Sequence, residues 1–405
     1  MANLEEIESE FRQKMTELRR NLGATEHMRR YDVPNIYSDL AFYTHSMYHY
    51  HEIKTAVIDL CRRCEDTNRT SATIGAGSQS LMHFHCEFTD YLRVMEQYPE
   101  SYCHSLVESN GNKVVAVYIT NLKQLYFGPY VITALFARLF RVDPNHRRKN
   151  LGTYLVSSAF KQLAPLEVDC ILGYTLTTNI PSLAFQHRTL VPVYRGTDRL
   201  NIFIVPTGSN SMVIRLHKLT QMEVERLWTV DLVDWINRPV FSDLYRIMQM
   251  SEYLGTFAVG DFPTGQYAIA SVWQPSSVIL CDDRSNMKNT YRGPFRLIFN
   301  FFQSTSVPSS SNDNARMLLS ALSNAAAIDG IPFMLCQIDE SSPFNLLCLD
   351  RAVAMTTEIM TRDNISHRMT VLKDKFDKLS TWLDPRDFSG LLYFFPVSNK
   401  VQSQL

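Results

Sequence analysis

Residues 132–142 read ITALFARLFRV, residues 143–150 read DPNHRRKN and residues 151–163 read LGTYLVSSAFKQL. The first segment alternates, with Leu135, Ala137 and Leu139 on one side of an extended chain and Phe136, Arg138 and Phe140 on the other. That is a strand pattern, rich in β-branched and aromatic types. In the last segment Leu151, Leu155 and Ala159 recur every four residues with Val156, Phe160 and Leu163 beside them, which makes one apolar stripe of a helix. The turn between them carries Arg147, Arg148 and Lys149. A helix start leaves several N–H groups unpaired and bears partial positive charge, so it suits an anion. Cations at that end disfavour the helix unless an anion is bound. Gly152 lets backbone approach a ligand closely. The stretch therefore reads either as a cradle for a pyrophosphate or as a solvated basic turn after a strand.

Val142-x-Pro144-x-x-Arg147-x-x-Asn150-x-Gly152 resembles the acetyl-coenzyme A loop of the Gcn5-related N-acetyltransferase (GNAT) superfamily, whose usual form is V-x-P-x-x-R/Q-x-x-G-x-G/A. Asn150 replaces the first glycine; Asn tolerates left-handed backbone better than most residues, so the loop is expected to form. Downstream, after the strand-like run Val168 to Thr175, Asn179-x-x-Ser182-x-x-Phe185 is similar to the superfamily's N-x-x-A/S-x-x-L-Y-x-x-x-G-F. A final hairpin from Val193 to Arg195 and Leu200 to Val205 would follow.

The resemblance implies an α/β (α+β) fold with a mixed, mostly antiparallel central sheet flanked by helices, and acetyl-CoA as co-substrate. It implies cofactor contacts from Phe140, Arg141 and Val142 at the strand end, and from Arg147, Arg148, Lys149, Asn150, Leu151, Gly152 and Thr153 in the loop. Asn179 and Ser182 complete that set. A bulky Gly152→Trp change is expected to abolish coenzyme A binding without unfolding the chain. One departure concerns the chemistry: Gln186 stands where many members carry the Tyr that protonates the thiolate, and Leu190-Val191 replaces Gly-Phe. A Gln cannot act as a general acid near neutral pH. The adjacent His187 titrates, yet a lone His on a helix is more often structural, so Gln186 and His187 are weak catalytic candidates.

At 405 residues the chain exceeds one usual domain and fits two, each able to bury a core. With 45% hydrophobic, 11% aromatic and 20% charged residues it is a folded chain and not a disordered one. Nothing in a net charge of -1 argues for nucleic acid or an anionic membrane as main partner, and neither is expected. The start of the chain shows no apolar signal region, and no run approaches the roughly 20 apolar residues of a membrane span. The cytoplasm is the expected compartment, with the nucleus open to it as well.

The cysteines at 61, 64, 86, 103, 170, 281, 336 and 348 sit mostly in apolar surroundings and read as reduced core thiols. Cys61-x-x-Cys64 with His83-x-His85-Cys86 has a spacing that can hold zinc, but Cys61 and Cys64 also lie on an amphipathic helical stretch with Val57 and Ile58, and core thiols without a metal are the expected reading.

From the start of the chain, Leu4, Ile7, Phe11, Met15, Leu18 and Leu22 mark an amphipathic helix stopped by Gly23. The Tyr- and His-rich region 31–100 reads mainly as helices with a polar loop from Thr67 to Ser80. Ser101 to Thr120 then reads as two strands around Asn110-Gly111-Asn112, a strong hairpin signal.

Pro206-Thr207-Gly208-Ser209-Asn210-Ser211 punctuates the chain and sets the expected division into an N-terminal helix (1–30), an acetyltransferase domain (31–207) and a degenerate second copy (208–405). In that copy Ser211 to Leu216 begins a strand, and Thr220-Gln221-Met222-Glu223 is a capping box ahead of Leu227, Trp228, Leu232 and Trp235. Leu254 to Val259, Tyr267 to Trp273, Phe295 to Phe302 and Pro332 to Cys336 read as strands, and Ala315 to Ile328 as a helix. Where the phosphate loop should recur, Ser304 to Asn314 offers Asp313 at the helix start, and a carboxylate there repels pyrophosphate.

One intact motif followed by a worn copy, and the closing Trp382-Leu383-Asp384-Pro385-Arg386-Asp387-Phe388 before a strand at Leu391 to Phe395, resemble the hookless-type probable N-acetyltransferases of plants. The two-domain N-myristoyltransferases share this architecture, but none of their characteristic stretches is present. The expected function is acetyl transfer from acetyl-CoA to an amine, a small molecule or a peptide. His104, Tyr118 and Tyr174 are the titratable strand residues that could face the pocket. The alternatives are a catalytically silent coenzyme A-binding or protein-interaction module and a structural protein that keeps only the fold.

Overall fold

The computed structural model describes residues 29–31, 39–46, 51–67, 97–98, 100–110, 113–128, 130–166, 168–176, 182, 184–185, 191–208, 214–275, 279–282, 290–293, 295–304, 311–339, 351–361, 384 and 386. The expected N-terminal helix, the polar loop after Thr67, the loop 305–310 and the closing strand lie outside them. In chain order come strands β1 (Arg29–Tyr31) and β2 (Leu40–Ser46), helix α1 (His51–Thr67), and strands β3 (Glu100–Glu108), β4 (Val114–Phe127) and β5 (Tyr130–Val142). Helix α2 (Leu151–Leu163) and strands β6 (Cys170–Leu176) and β7 (Val191–Pro206) complete the first half.

The second half opens with β8 (His217–Lys218), helix α3 (Gln221–Arg226) running into a π-helical turn at Leu227–Asp231, then β9 (Ile236–Pro239) and α4 (Phe241–Gln249). Strands β10 (Tyr253–Gly260), β11 (Tyr267–Trp273), β12 (Ile279–Asp282), β13 (Thr290–Gly293) and β14 (Arg296–Gln303) follow. Helix α5 (Ser311–Ile328) and strands β15 (Phe333–Asp339) and β16 (Arg351–Thr361) end it.

Fourteen of these strands form one sheet in the order β1-β2-β3-β4-β5-β6-β16-β7-β15-β14-β11-β10-β8, with β9 paired to β4. The two halves thus share an uninterrupted ladder. β16 of the second half lies between β6 and β7, while β7 of the first half pairs with β15. β5–β6 and β14–β15 are parallel and their other neighbours antiparallel, so each half repeats the same arrangement around its long helix.

Helices cover both faces. α1 presses Val57, Leu60, Cys61 and Cys64 against Cys103, Val117, Ile119 and Leu139. On the other face α2 presses Leu151, Leu155, Val156 and Ala159 against Phe42, Leu106, Ala116 and Tyr118. α5 covers Ala268, Ala270, Val272 and Ile298 of the second half, and α3 and α4 cover its opposite face through Val224, Leu244 and Ile247. Each leucine buried in this way contributes roughly 1.5–3 kcal/mol.

Several expectations need correction. Tyr43 to Ser46, read as part of a helical region, belongs to β2, because every residue from Leu40 to Ser46 pairs with β3 and Phe42 enters the core under α2. Of the stretch read as a strand start, Ser211 to Leu216, the described residues Ile214 to Leu216 form no strand; pairing starts at His217. The hairpin expected from Val193 to Val205 is one strand, β7, since its partners β15 and β16 come from the second half and hold it extended. An irregularity that sets Arg195 to Arg199 against Thr356 to Glu358 absorbs the residues read as a turn. The Thr220–Glu223 capping box is present, with Glu223 N–H donating to Thr220 Oγ1 at 3.3 Å and Thr220 N–H donating to Glu223 Oε2 at 2.7 Å.

Two buried arginines tie the halves together. Arg238, between β4 and the π-helical turn, donates to the carbonyls of Trp228 (2.7 Å), Val233 (2.7 Å), Trp235 (3.0 Å) and Gly128 (3.0 Å). It satisfies acceptors the helix end leaves open, and burial lowers its pKa to about 10. Arg386, from the Asp-Pro-Arg stretch, is 0% exposed and pairs with both oxygens of Asp243 at 2.9 and 2.6 Å and with Asp384 at 2.8 Å. Lys123 of β4, 2% exposed, donates to Asp384 at 2.7 Å, and Arg138 of β5 donates to the Arg386 carbonyl.

Removing one partner of such a cluster leaves a buried charge uncompensated, so Arg386→Met should lower unfolding free energy by about 3–5 kcal/mol in chemical denaturation. Burial opposes ionisation of Asp384, but Arg386 and Lys123 outweigh it and hold the carboxyl below its ordinary value. That contribution is present above the unfolded carboxyl's pKa of about 3.9 and disappears as pH falls through the folded value. Stability measured against pH should therefore drop on acidification, and drop less steeply in Arg386→Met.

Candidate functional site

Between Tyr118 and Thr120 β4 advances two residues while β5 advances three, from Phe140 back to Ala137. The extra residue is a β-bulge. It breaks the strict alternation expected of residues 132–142: Ala137, Phe140 and Val142 all pack with the α2 face, and Leu139 alone joins the α1 cluster. The bulge also turns β5 away from β6, whose pairing runs from Ala134–Cys170 to Ala137–Gly173 and stops there. Arg138 to Val142 and Tyr174 to Leu176 continue as two diverging strands, which leaves a slot lined by backbone at the strand end.

At the mouth of the slot the chain turns through a short 3₁₀ segment, Pro144–His146, capped by Asp143. Arg148 (φ 64°) and Asn150 (φ 58°) are both left-handed. Asn150 thus adopts the conformation that a glycine supplies elsewhere, as its short polar side chain permits. Such alternation brings successive N–H groups to one side as an anion-binding concavity. The first bond of α2 runs from the Tyr154 amide to the Asn150 carbonyl at 3.1 Å, so the amides of Leu151, Gly152 and Thr153 belong to the turn that has no intrahelical acceptor. Arg147, Arg148, Lys149 and Asn150 are exposed around this point, while Leu151 is buried and anchors the helix. Arg141 donates to the Phe140 carbonyl at 3.0 Å and Arg147 to the Val142 carbonyl at 3.3 Å.

Asp143 stays out of the cradle. It is 0% exposed, accepts from Arg63 Nε at 2.8 Å and from the Asn145 amide at 3.0 Å, and lies 4.0 Å from Lys113. Burial resists ionisation, yet the Asn145 amide, Arg63 and Lys113 together hold the carboxyl below its ordinary value. Burial likewise pushes the Cys64 thiol up, against the pull of Arg141 and Arg147. Neither Arg63 nor Asp143 was among the expected site residues; the only signal was the Asp-Pro-Asn turn.

Gly152 has a different role from the one its motif suggests. A Cβ there would lie 2.7 Å from Cζ of Phe140 and 3.2 Å from Cε2 of Phe185, whose rings stack at 4.7 Å. The glycine admits this aromatic pair under the helix start, so Gly152→Trp would disturb packing as well as any ligand. The structure thereby joins the two motif stretches, Phe140–Gly152 and Ser182–Phe185. Asn179, Gln186 and His187 lie outside the described residues, as do His83, His85 and Cys86; Cys61 and Cys64 are buried on the sheet-facing side of α1.

Two of the three titratable strand residues, His104 and Tyr118, are not accessible. His104 is enclosed between Phe42, Tyr102 and Tyr118, with Nδ1 3.0 Å from Thr44 Oγ1 and Nε2 3.2 Å from Thr120 Oγ1. Tyr118 packs edge-on to Phe140, and burial raises its hydroxyl pKa. Both belong to the core under α2. Of Tyr174 only the place in β6 is described.

No family model matches the sequence, and no curated protein matches it either. Among solved structures the chain is similar to Saccharomyces cerevisiae N-myristoyltransferase with bound myristoyl-CoA, at 10% identity and TM-score 0.52 over 83% of this chain and 81% of that one. It is also similar to a GCN5-related glucosamine N-acetyltransferase region of a fungal multi-domain GH3 β-N-acetylglucosaminidase, at 10% identity and TM-score 0.52 over 79% of this chain and 38% of that one. The chain has the GNAT fold, an open mixed sheet flanked by helices.

Gly152→Ala should cost about 1–3 kcal/mol by overpacking. Phe140→Leu in the same chain should recover part of that loss, read as the difference in denaturation midpoints of the single and double variants.

Proposed function

We propose that this chain is an acyl-coenzyme A-dependent N-acyltransferase, with acetyl-CoA as donor and an amine on a small molecule or peptide as acceptor. The observation that carries the reading is the slot between β5 and β6 opening onto the left-handed basic turn at α2. Diverging strand ends supply backbone groups for an extended amide-bearing arm, and the turn supplies N–H groups and cations for a pyrophosphate. In this reading Phe140, Arg141 and Val142 face the arm, Arg147 to Thr153 hold the phosphates, and Asn179 and Ser182 complete the cofactor set. Fold neighbours that bind myristoyl-CoA or act on glucosamine support an acyl-CoA donor and an amine acceptor.

Residues 31–207 carry this site in the proposal, and residues 208–405 are a worn second copy that completes the sheet. The hookless-type grouping rests on the same layout and on the Asp384–Arg386 ending. The cytoplasm is the proposed compartment.

Bringing a neutral amine and a thioester into contact can supply much of such a rate enhancement through orientation alone. With His104 and Tyr118 sealed in the core, the proton leaves through solvent or through groups outside the described residues. This burial also favours a second reading, a catalytically silent module that binds coenzyme A.

Titration calorimetry with acetyl-CoA and with coenzyme A separates these readings from a mere fold relic. Micromolar binding is expected, weakened at least about tenfold in Arg148→Glu and in Arg147→Glu, the equivalent of one lost charge-assisted hydrogen bond. Absence of heat at millimolar ligand would sink both readings. Release of free thiol from acetyl-CoA in the presence of amines then distinguishes the transferase from the silent module.

A further inference from the structure

The sequence sets Cys61-Arg62-Arg63-Cys64 apart, and the proposed function uses none of it. In the structure this turn of α1 lies against the end of β5. Arg63 donates through Nε to Asp143 Oδ2 at 2.8 Å and through Nη2 to the Val114 carbonyl at 2.6 Å. The next residue, Cys64, points its thiol at the Val142 carbonyl, 3.5 Å away. One guanidinium thus bridges the start of β4 to the residue that opens the loop, and the neighbouring thiol holds the residue before it. Asp143 passes the constraint onward: its amide donates to the Val115 carbonyl at 2.8 Å, its carboxylate caps Asn145, and the His146 amide donates to its carbonyl at 2.8 Å. Beyond it Arg147 to Asn150 are exposed.

We infer that α1 is a brace for the phosphate turn: Arg63, acting through Asp143, fixes the left-handed turn at Arg148 and Asn150 before any ligand arrives, and is a positioning residue for coenzyme A. The inference rests on the proposed cofactor reading, and its physical basis is preorganisation. A turn that must be ordered during binding sets its conformational entropy against the affinity, whereas a turn already held does not. Arg suits this position better than Lys because its planar fork reaches a carboxylate and a carbonyl at once. Breaking the pair takes the guanidinium from the buried Asp143 carboxylate, leaving it the Asn145 amide and Lys113 at 4.0 Å, and removes the side-chain donor to the Val114 carbonyl.

Hydrogen exchange of the unliganded full chain, read over residues 144–153, tests the brace directly, alongside coenzyme A titration and thermal midpoints. Arg63→Met should speed exchange in the turn by about tenfold or more and weaken coenzyme A binding by a similar factor, the loss of one hydrogen bond to a charged group. Exchange in β14 and β15 should stay as in the parent. Arg63→Lys should recover part of both effects, and Arg62→Met, a side chain 73% exposed on the same helix, should change neither. Turn exchange and affinity equal to the parent's in Arg63→Met would overturn the brace. The exchange arm needs no ligand, so a parent chain that binds no coenzyme A overturns the cofactor reading and the positioning role that rests on it, while exchange alone still decides whether Arg63 holds the turn.

Discussion

One extra residue in β5, between the pairs Thr120–Ala137 and Tyr118–Phe140, decides how the rest of the first half is arranged. Because side chains alternate with a period of two, the insertion returns Phe140 to the face that already holds Ala137. Phe140 can then stack on Phe185 and close over Gly152, which brings the start of α2 against the strand end. The same insertion lies where β5 parts from β6, whose pairing ends at Ala137–Gly173. The second half has an irregularity of the same sense, where Phe299 to Phe302 of β14 oppose Ser271 to Ile269 of β11 and Asn300 is left-handed. A similar sheet distortion thus occurs in the second half, where residues 304–314 carry no basic turn in sequence.

Buried charge is concentrated at the junction of the halves. Lys123 and Arg138 come from the first half, Asp243 from the second, and Asp384 and Arg386 from the closing stretch. Lys123 and Arg138 also lie over the rings of Tyr98 and Phe136. Desolvating such groups is costly unless each finds a partner, and here each carboxylate meets at least one cation directly. The shared strands β7 and β16 and this cluster make the second half part of the scaffold that holds β5, whether or not it binds a ligand of its own.

The cradle and the core use charge differently. Asp143 is withdrawn from the basic turn by Arg63, which leaves the exposed side of the turn positive and open to an anion. His104 and Tyr118 are spent on packing, with both ring nitrogens of His104 within reach of threonine hydroxyls. The proposed site therefore draws on backbone geometry and cations, with His104 and Tyr118 kept in the core.

The sequence by itself determined the local elements with strong periodicity or punctuation: β5, α2, the β3–β4 hairpin, the capping box at Thr220 and the left-handed turn at Asn150. Each depends on neighbours within a few residues, so its signal is contained in a short window. Only the tertiary structure decided the bulge, the single long strand β7, the strand identity of Tyr43 to Ser46 and the pairing of Arg63 with Asp143. Those outcomes depend on partners far along the chain, such as β16 beside β6, or 80 residues between Arg63 and Asp143. A residue's preference for strand or turn is weaker than the ladder it can join, and that ladder is assembled from both halves at once.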